Sequence, residues 1–213
     1  MNTNLENSFQ QYFYASGPGS TLEYTARLRQ HLKTIFADFN VKTLLDAPCG
    51  DMVWMSEVLK ENPGIDYIGG EIVKSLVDKH TQTYRGNPLV QFLHLDITED
   101  PLPACDLWNV RDVLFHLSHD KAINVFKNMA RSDIKYILTT THGLDSVGYD
   151  GRKWTHNMPI KDSEFELLNL FAEPFCLPEP LFRFDDTFGP HPKREMCIWS
   201  KEQIVNLANT KWL

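Results

Sequence analysis

Leu44-Leu45-Asp46-Ala47-Pro48-Cys49-Gly50-Asp51 is the stretch that decides how this chain folds. An apolar run from Val41 to Leu45 ends in an acid, Asp46. A tight Pro/Gly turn follows, and then a helix predicted over Met52 to Lys60. That is the opening strand, turn and helix of an open α/β sheet, in which ligands sit outside the strand carboxyl ends. A dinucleotide fingerprint needs three glycines, so that backbone and helix can approach a pyrophosphate. Here Pro48 holds the first of those positions and Met52 the third, leaving Gly50 alone. A pyrophosphate would be poorly served, which counts against a nicotinamide dehydrogenase.

The pattern continues on both sides. Upstream, Leu28, Leu32, Ile35, Phe36 and Phe39 fall at helical spacing, predicting an amphipathic helix over 21–39. Ser20 and Glu23 are placed as the capping box that opens it. Downstream, strands at 65–70, 90–95, 105–110 and 135–140 alternate with helices at 72–84 and 119–131. Five strands alternating with helices imply a parallel, doubly wound sheet. After His142 the chain turns irregular, with a short helix predicted at 163–171. Phe182–Phe184 and Met196–Trp199 then read as two late strands, and Lys201 starts a last helix.

The 213 residues suit one domain spanning 1–213, with a proper core. Within it, 1–40 reads as an N-terminal lid and helix, and 143–195 as a substrate-side insertion. The formal charge of −7 argues against nucleic acid as a partner, because phosphate binding depends on clustered Lys and Arg. No apolar run reaches the ~20 residues of a membrane span, and the N-terminus has no signal-peptide pattern. Cys49, Cys105, Cys176 and Cys197 are widely spaced and read as reduced thiols of a cytoplasmic protein.

With the Asp-Ala-Pro-Cys-Gly-Asp turn, the Ser16–Ser20 Gly/Pro turn and Arg111-Asp112-Val113-Leu114-Phe115-His116-Leu117 on the page, the chain resembles the class I S-adenosylmethionine (SAM) methyltransferases. More narrowly, it is similar to a bacterial group of largely unassigned substrate. The resemblance covers roughly residues 16–200. It implies a Rossmann-like seven-stranded sheet in the order 3-2-1-4-5-7-6, the last strand antiparallel, with SAM as cofactor. The implied reaction moves a methyl group to oxygen or nitrogen of a small molecule, a saccharide or other metabolite. The rivals are a protein or RNA methyltransferase, and a SAM-binding partner subunit without turnover. A monomer and a homodimer both stay open.

The resemblance places Asp46, Pro48 and Gly50 beside the methionine part of SAM. Asp46 could instead be a turn aspartate bonding backbone N–H groups. Glu71 lies 25 positions beyond Asp46, near the ~20 of the Rossmann arrangement, and can accept both hydrogens of a ribose diol. Its alternative is a cap for the following helix. Ile72 accompanies it. By the resemblance Asp96 takes the adenine amino group and Ile97 covers the base. Asn109 and Arg111 follow the fourth strand, where the chain passes cofactor and substrate. Arg111 either holds an anionic group or pairs with an acid such as Asp112.

A hydroxyl acceptor must lose a proton, so a base of near-neutral pKa helps. His116 and His142 are the candidates, with Arg111 as the third catalytic residue. Tyr14, Arg152 and Trp154 are placed at the substrate. Ser16 to Ser20 either binds an anionic group or simply forms the turn. Asp112 and His116, with His142 or His156, lack the closely spaced acidic pair of a divalent site, so no metal is expected.

Overall fold

The computed structural model describes residues 3–9, 16–144, 147–148, 151–190 and 192–212. Helices α1 (Thr3–Phe9) and α2 (Ala26–Asp38) precede β1 (Thr43–Asp46) and α3 (Met55–Glu61). Then come β2 (Asp66–Glu71), α4 (Lys74–Thr83), β3 (Val90–His94), β4 (Cys105–Val110), α5 (His119–Arg131) and β5 (Ile134–His142). The chain finishes with β6 (Phe182–Asp185), β7 (Arg194–Ser200) and α6 (Lys201–Thr210). The sheet order is β3-β2-β1-β4-β5-β7-β6. β7 pairs antiparallel with both β5 and β6, while the other pairs are parallel.

Both faces of a parallel sheet must be covered, and successive strand residues point to opposite faces. Leu44, Tyr67, Leu107, Leu138 and Ile198 pack with Leu28, Leu32 and Ile35 of α2 and Met55 and Val58 of α3. Leu45, Ile68, Trp108, Ile137 and Trp199 face the other way. They pack with Val125, Phe126 and Met129 of α5, Ile204 of α6 and Trp212. The register sets Asp46 opposite Gly69 on one side and Asn109 on the other. In-register neighbours of parallel strands share a face, so the side chains of Asp46 and Asn109 meet. The order reverses at β1 and β4, which is where an open α/β sheet leaves its ligand crevice.

α3 starts at Met55 rather than Met52, because Met52 has φ +63°, and two larger expectations change. α2 starts at Ala26 rather than 21, and no box forms at Ser20. Ser20 ends a 3-10 turn over Pro18–Ser20, Thr25 is the N-cap of α2 without a side-chain cap bond, and Thr21 braces the turn between them. Its Oγ1 accepts the Tyr24 N–H at 3.2 Å. The capping box of this chain lies at Ser200 and Gln203, opening α6.

The helix predicted at 163–171 is instead extended and turned chain. Its leucines are buried against the end of β5. His142 donates its N–H to Leu168 O at 2.7 Å, and Leu170 donates its N–H to Thr141 Oγ1 at 2.9 Å. Side chains of Asn157 and Asn169 supply further partners to this backbone, so a helix is not needed to satisfy it.

Candidate active site

Outside the carboxyl ends of β1, β2 and β4 lies a cavity whose empty volume, counted to its mouth, is about 970 Å³. The Pro48-Cys49-Gly50 turn forms its floor. Gly50 has φ +55°, and a Cβ there would meet Ser16 Oγ at 2.4 Å. Ser16 and Asp51 bond reciprocally: Ser16 N–H donates to Asp51 Oδ2 at 2.9 Å, and Asp51 N–H to Ser16 Oγ at 2.8 Å. This ties the Ser16–Ser20 turn over the β1 turn. Both Ser16 and Ser20 line the cavity.

Glu71 and Asp96 stand in the wall. Glu71 Oε2 accepts the Gly50 N–H and Oε1 the Val73 N–H, each at 3.1 Å. It therefore does cap α4, and its carboxylate keeps acceptor capacity for a ligand donor. Burial pushes its carboxyl pKa up, against the pull of these backbone N–H groups. Asp96 Oδ1 accepts from Thr98 N–H and Oγ1, at 2.9 and 2.7 Å. Its Oδ2 is buried with no hydrogen-bond partner among the described residues. Ile72, Val73, Leu76, Leu95 and Ile97 make an apolar slot beside these acids.

Asn109 and Arg111 close the opposite side. Asn109 donates from Nδ2 to Asp46 Oδ1 at 2.6 Å, and Asn109 Oδ1 has no partner among the described residues. Asp46 is buried and stands behind Asn109, outside the cavity lining. Arg111 pairs with Asp112 at 2.9 Å and donates to Gly19 O at 2.9 Å. The rings of Trp54 and Tyr24 each lie 5.8 Å from its guanidinium carbon. Its Nε and Nη2 are buried without a hydrogen-bond acceptor among the described residues. Asp112 is in turn held by Arg194, at 3.1 Å, and Thr140. The Arg111 and Arg194 charges keep its carboxyl below the ordinary range despite burial.

His116 lines the cavity. Its Nδ1 lies 3.0 Å from Glu164 O. A carbonyl only accepts, so Nδ1 carries the proton and Nε2 is the basic nitrogen. Burial lowers its pKa, keeping the ring neutral near pH 7. The rings of Phe9, Phe115 and Phe165 surround it.

His142 is placed differently from His116. It is buried outside the cavity lining, and its Nδ1 accepts the Leu168 N–H at 3.3 Å. Burial and the Arg194 charge lower its pKa to about 4. It joins β5 to the irregular segment. Arg152 and Trp154 also lie outside the cavity lining, Arg152 exposed and Trp154 buried. Tyr14 lies outside the described residues, as do Tyr12 and Phe13.

No family model matches this chain, and no curated protein matches it in sequence. Solved structures do. The N-methyltransferase NodS from Bradyrhizobium japonicum WM9, in complex with S-adenosyl-L-homocysteine (SAH), matches with a TM-score of 0.64 at 11% identity, over 92% of this chain and 98% of that one. The N-terminal domain of EvdMO1, in the presence of SAH and D-fucose, gives 0.56 at 14% identity over 94% and 97%. PigF with SAH gives 0.53 at 15% identity, over 93% of this chain and 68% of that one. The fold is that of the class I methyltransferases.

Leu5 and Trp54 in the cavity lining, and Asp186 and Arg194 behind it, were not singled out from the sequence. Leu5 and Phe9 of α1 roof the cavity, and Trp54 stacks on Arg111. Phe9 belongs to the aromatic N-terminal run that the sequence reads as a lid, whereas no spacing rule points to Leu5. Arg194 and Asp186 support Asp112 and Arg111 from the β6–β7 hairpin. Among the described residues no group of three or more His, Cys, Asp or Glu is arranged to hold a metal. All four cysteines are free thiols, and burial pushes that of Cys49, in the cavity floor, well up.

Proposed function

We propose that this chain binds SAM and transfers its methyl group to an oxygen or nitrogen of a small molecule, a saccharide or other metabolite. The observation that carries the reading is a set of buried polar atoms with no hydrogen-bond partner around one apolar-walled cavity. They are Asp96 Oδ2, Asn109 Oδ1 and Arg111 Nε, while Arg111 Nη2 has only a 3.5 Å ion pair with Asp186. Leaving such groups unpaired costs about 1–3 kcal/mol each, so a ligand bearing their complements is favoured. SAM bears them in matching order. Its adenine amino group suits Asp96, its ribose diol Glu71, its ammonium Asn109 and its carboxylate Arg111. Ile72, Ile97 and Leu76 would hold the base. The cavity acids suit a ligand that carries a sulfonium.

When bound, SAM supplies a methyl group made electrophilic by the sulfonium. The chain's own tasks are then positioning, deprotonation and exclusion of water. Nε2 of His116 takes the proton of a hydroxyl or ammonium acceptor, while Nδ1–H stays on Glu164 O and fixes the ring. Phe9, Phe115, Phe165, Val113 and Leu117 keep that end apolar. Leu5 and Phe9 enclose the cavity, which favours a small acceptor over a macromolecule.

Calorimetric titration of SAM and SAH into wild type and Glu71→Ala tests the reading. Micromolar binding to wild type, weakened at least ~100-fold in the variant, supports it; that is ~2.7 kcal/mol. A wild type that binds neither ligand overturns it.

A further inference from the structure

Asp46 is an acid of the strand-end row that stands behind the cavity rather than in its wall. Asp46 is 1% exposed. Oδ2 accepts the Tyr67 hydroxyl at 2.8 Å, and Oδ1 accepts from Asn109 Nδ2 at 2.6 Å. Asn109 is also 1% exposed, yet it lines the cavity, and its Oδ1 has no partner among the described residues.

An amide has two unlike edges, and its neighbours decide which faces where. An ionised carboxylate only accepts. Facing Asp46, Asn109 must therefore offer N–H, and its carbonyl is turned to the other side. A protonated Asp46 donates. It is then satisfied by the carbonyl of Asn109, and the turned-over amide leaves its NH2 on the ligand side. A carbonyl edge attracts an ammonium group; an NH2 edge repels it.

The surroundings of Asp46 set how easily it takes that proton. From β2 it faces Tyr67, neutral because burial holds its hydroxyl pKa well up, and the negative charge of Glu71. Cys49 from the turn after β1 is likewise neutral. Arg111, just beyond β4, is the opposing positive charge. Burial outweighs the two hydrogen bonds and Arg111, and the Asp46 pKa rises to about 7.

We propose that Asp46 and Asn109 act as one proton-coupled unit: ionised Asp46 holds the Asn109 amide so that Oδ1 accepts an N–H of the cofactor's ammonium group, and a proton on Asp46 turns the amide over and weakens that contact. Asn109 is the direct contact and Asp46 the positioning residue. The proposal rests on SAM or SAH as the ligand, as argued above.

The test is calorimetry of SAH and SAM with the full chain between about pH 5.5 and pH 7.5, in two buffers of different ionisation enthalpy. The ligand ammonium stays largely charged across that range. In wild type, affinity rises about tenfold or more with pH, and binding near neutral pH releases a proton, equally for SAH and SAM. Asp46→Asn loses that proton release. Glu71, whose carboxyl is also raised by burial, is unchanged in that variant, so the difference belongs to Asp46. Asn109→Leu binds weakly, with the pH dependence reduced to that of Glu71. The exchanged pair, Asp46→Asn with Asn109→Asp, regains tight binding, because a carboxylate now meets the ammonium directly.

A wild type that binds SAH with no proton release overturns the proposal and leaves the cofactor reading intact. So does proton release with SAM alone, which would mean that the sulfonium is sensed instead. A wild type that binds neither ligand at any pH overturns both. Should Asp46→Asn fail to fold, the wild-type profile and Asn109→Leu still decide.

Discussion

Met52 shows how a single residue can keep a conformation its side chain does not favour. It stands where the dinucleotide fingerprint has a glycine, and its φ is +63°. A non-glycine residue in the left-handed region costs roughly 1–2 kcal/mol. What offsets the cost is visible. Met52 is 4% exposed within the α2–α3 core, and Tyr67 OH lies 3.0 Å from its Sδ. Met52→Gly therefore relieves the backbone and empties a core site. Deleting a buried Met side chain costs about 2–5 kcal/mol, which exceeds the gain. The expected outcome is net destabilisation by about 1–3 kcal/mol in denaturant unfolding. A more stable glycine variant would show that the side chain adds nothing to the core. The same comparison explains why the sequence departs from the glycine pattern without losing the turn. Gly50, whose Cβ would strike Ser16, is the position that admits no side chain.

At the scale of elements, α1 is the piece whose stability is borrowed. Seven residues are too few to hold a helix in water on their own. Leu5, 3% exposed, packs into the α5-side core beside the cavity, and Glu6 accepts the Lys74 N–H at the start of α4 at 3.1 Å. Those anchors are local, so loosening them should open the roof without unfolding the sheet. Leu5→Ala is expected to speed SAH dissociation by about tenfold or more, while the melting temperature moves by less than ~4 °C. Stopped-flow displacement and a thermal melt measure the two. A large fall in melting temperature would instead make α1 part of the cooperative core.

What the sequence reveals follows the same division by element. β4 and α5 match their predicted spans of 105–110 and 119–131, because their periodicity is strong and their boundaries carry turn residues. The strand-end acids are legible for the same reason, whereas the order of the sheet follows only from the resemblance to the class I methyltransferases. The Leu167–Leu170 run is not, since a buried extended segment and a helix bury the same leucines. Which of them forms is settled by Thr141, Asn157 and Asn169, far off in sequence. His142 and His116 look alike as residues at the ends of elements. They differ in the structure because Leu168 folds back over one of them and Glu164 onto the other.

Across the whole molecule, buried charge decides how stability changes with pH. Arg111, Asp112, Asp186 and Arg194 neutralise one another where the Gly19 turn, β4, β5 and the β6–β7 hairpin meet. Breaking such a cluster from one side costs about 3–5 kcal/mol, so it fixes the docking of the hairpin on the site. Asp46 has hydrogen bonds but, among the described residues, no ion-pair partner, and its effect has the opposite sign. An acid whose folded pKa lies above its unfolded value near 3.9 holds extra protons in the folded state. Its favourable contribution is complete below the unfolded pKa and is lost as pH rises through about 7. At pH 8 the burial of that ionised group costs up to ~4 kcal/mol. Asp46→Asn keeps the shape and removes the titration. Without ligand, the stability of the variant relative to wild type should climb between about pH 4 and pH 7 and level off above, by ~2–4 kcal/mol. His142, lowered to about 4 by burial and Arg194, pulls the other way between there and its ordinary value, but it is present in both proteins and cancels in the difference. Urea unfolding of the pair at several pH values reads this directly. A difference that stays flat with pH would place Asp46 at an ordinary carboxyl pKa. Saturating SAH should shrink the gap above pH 7, because in wild type the bound ammonium then offsets the burial of the ionised Asp46.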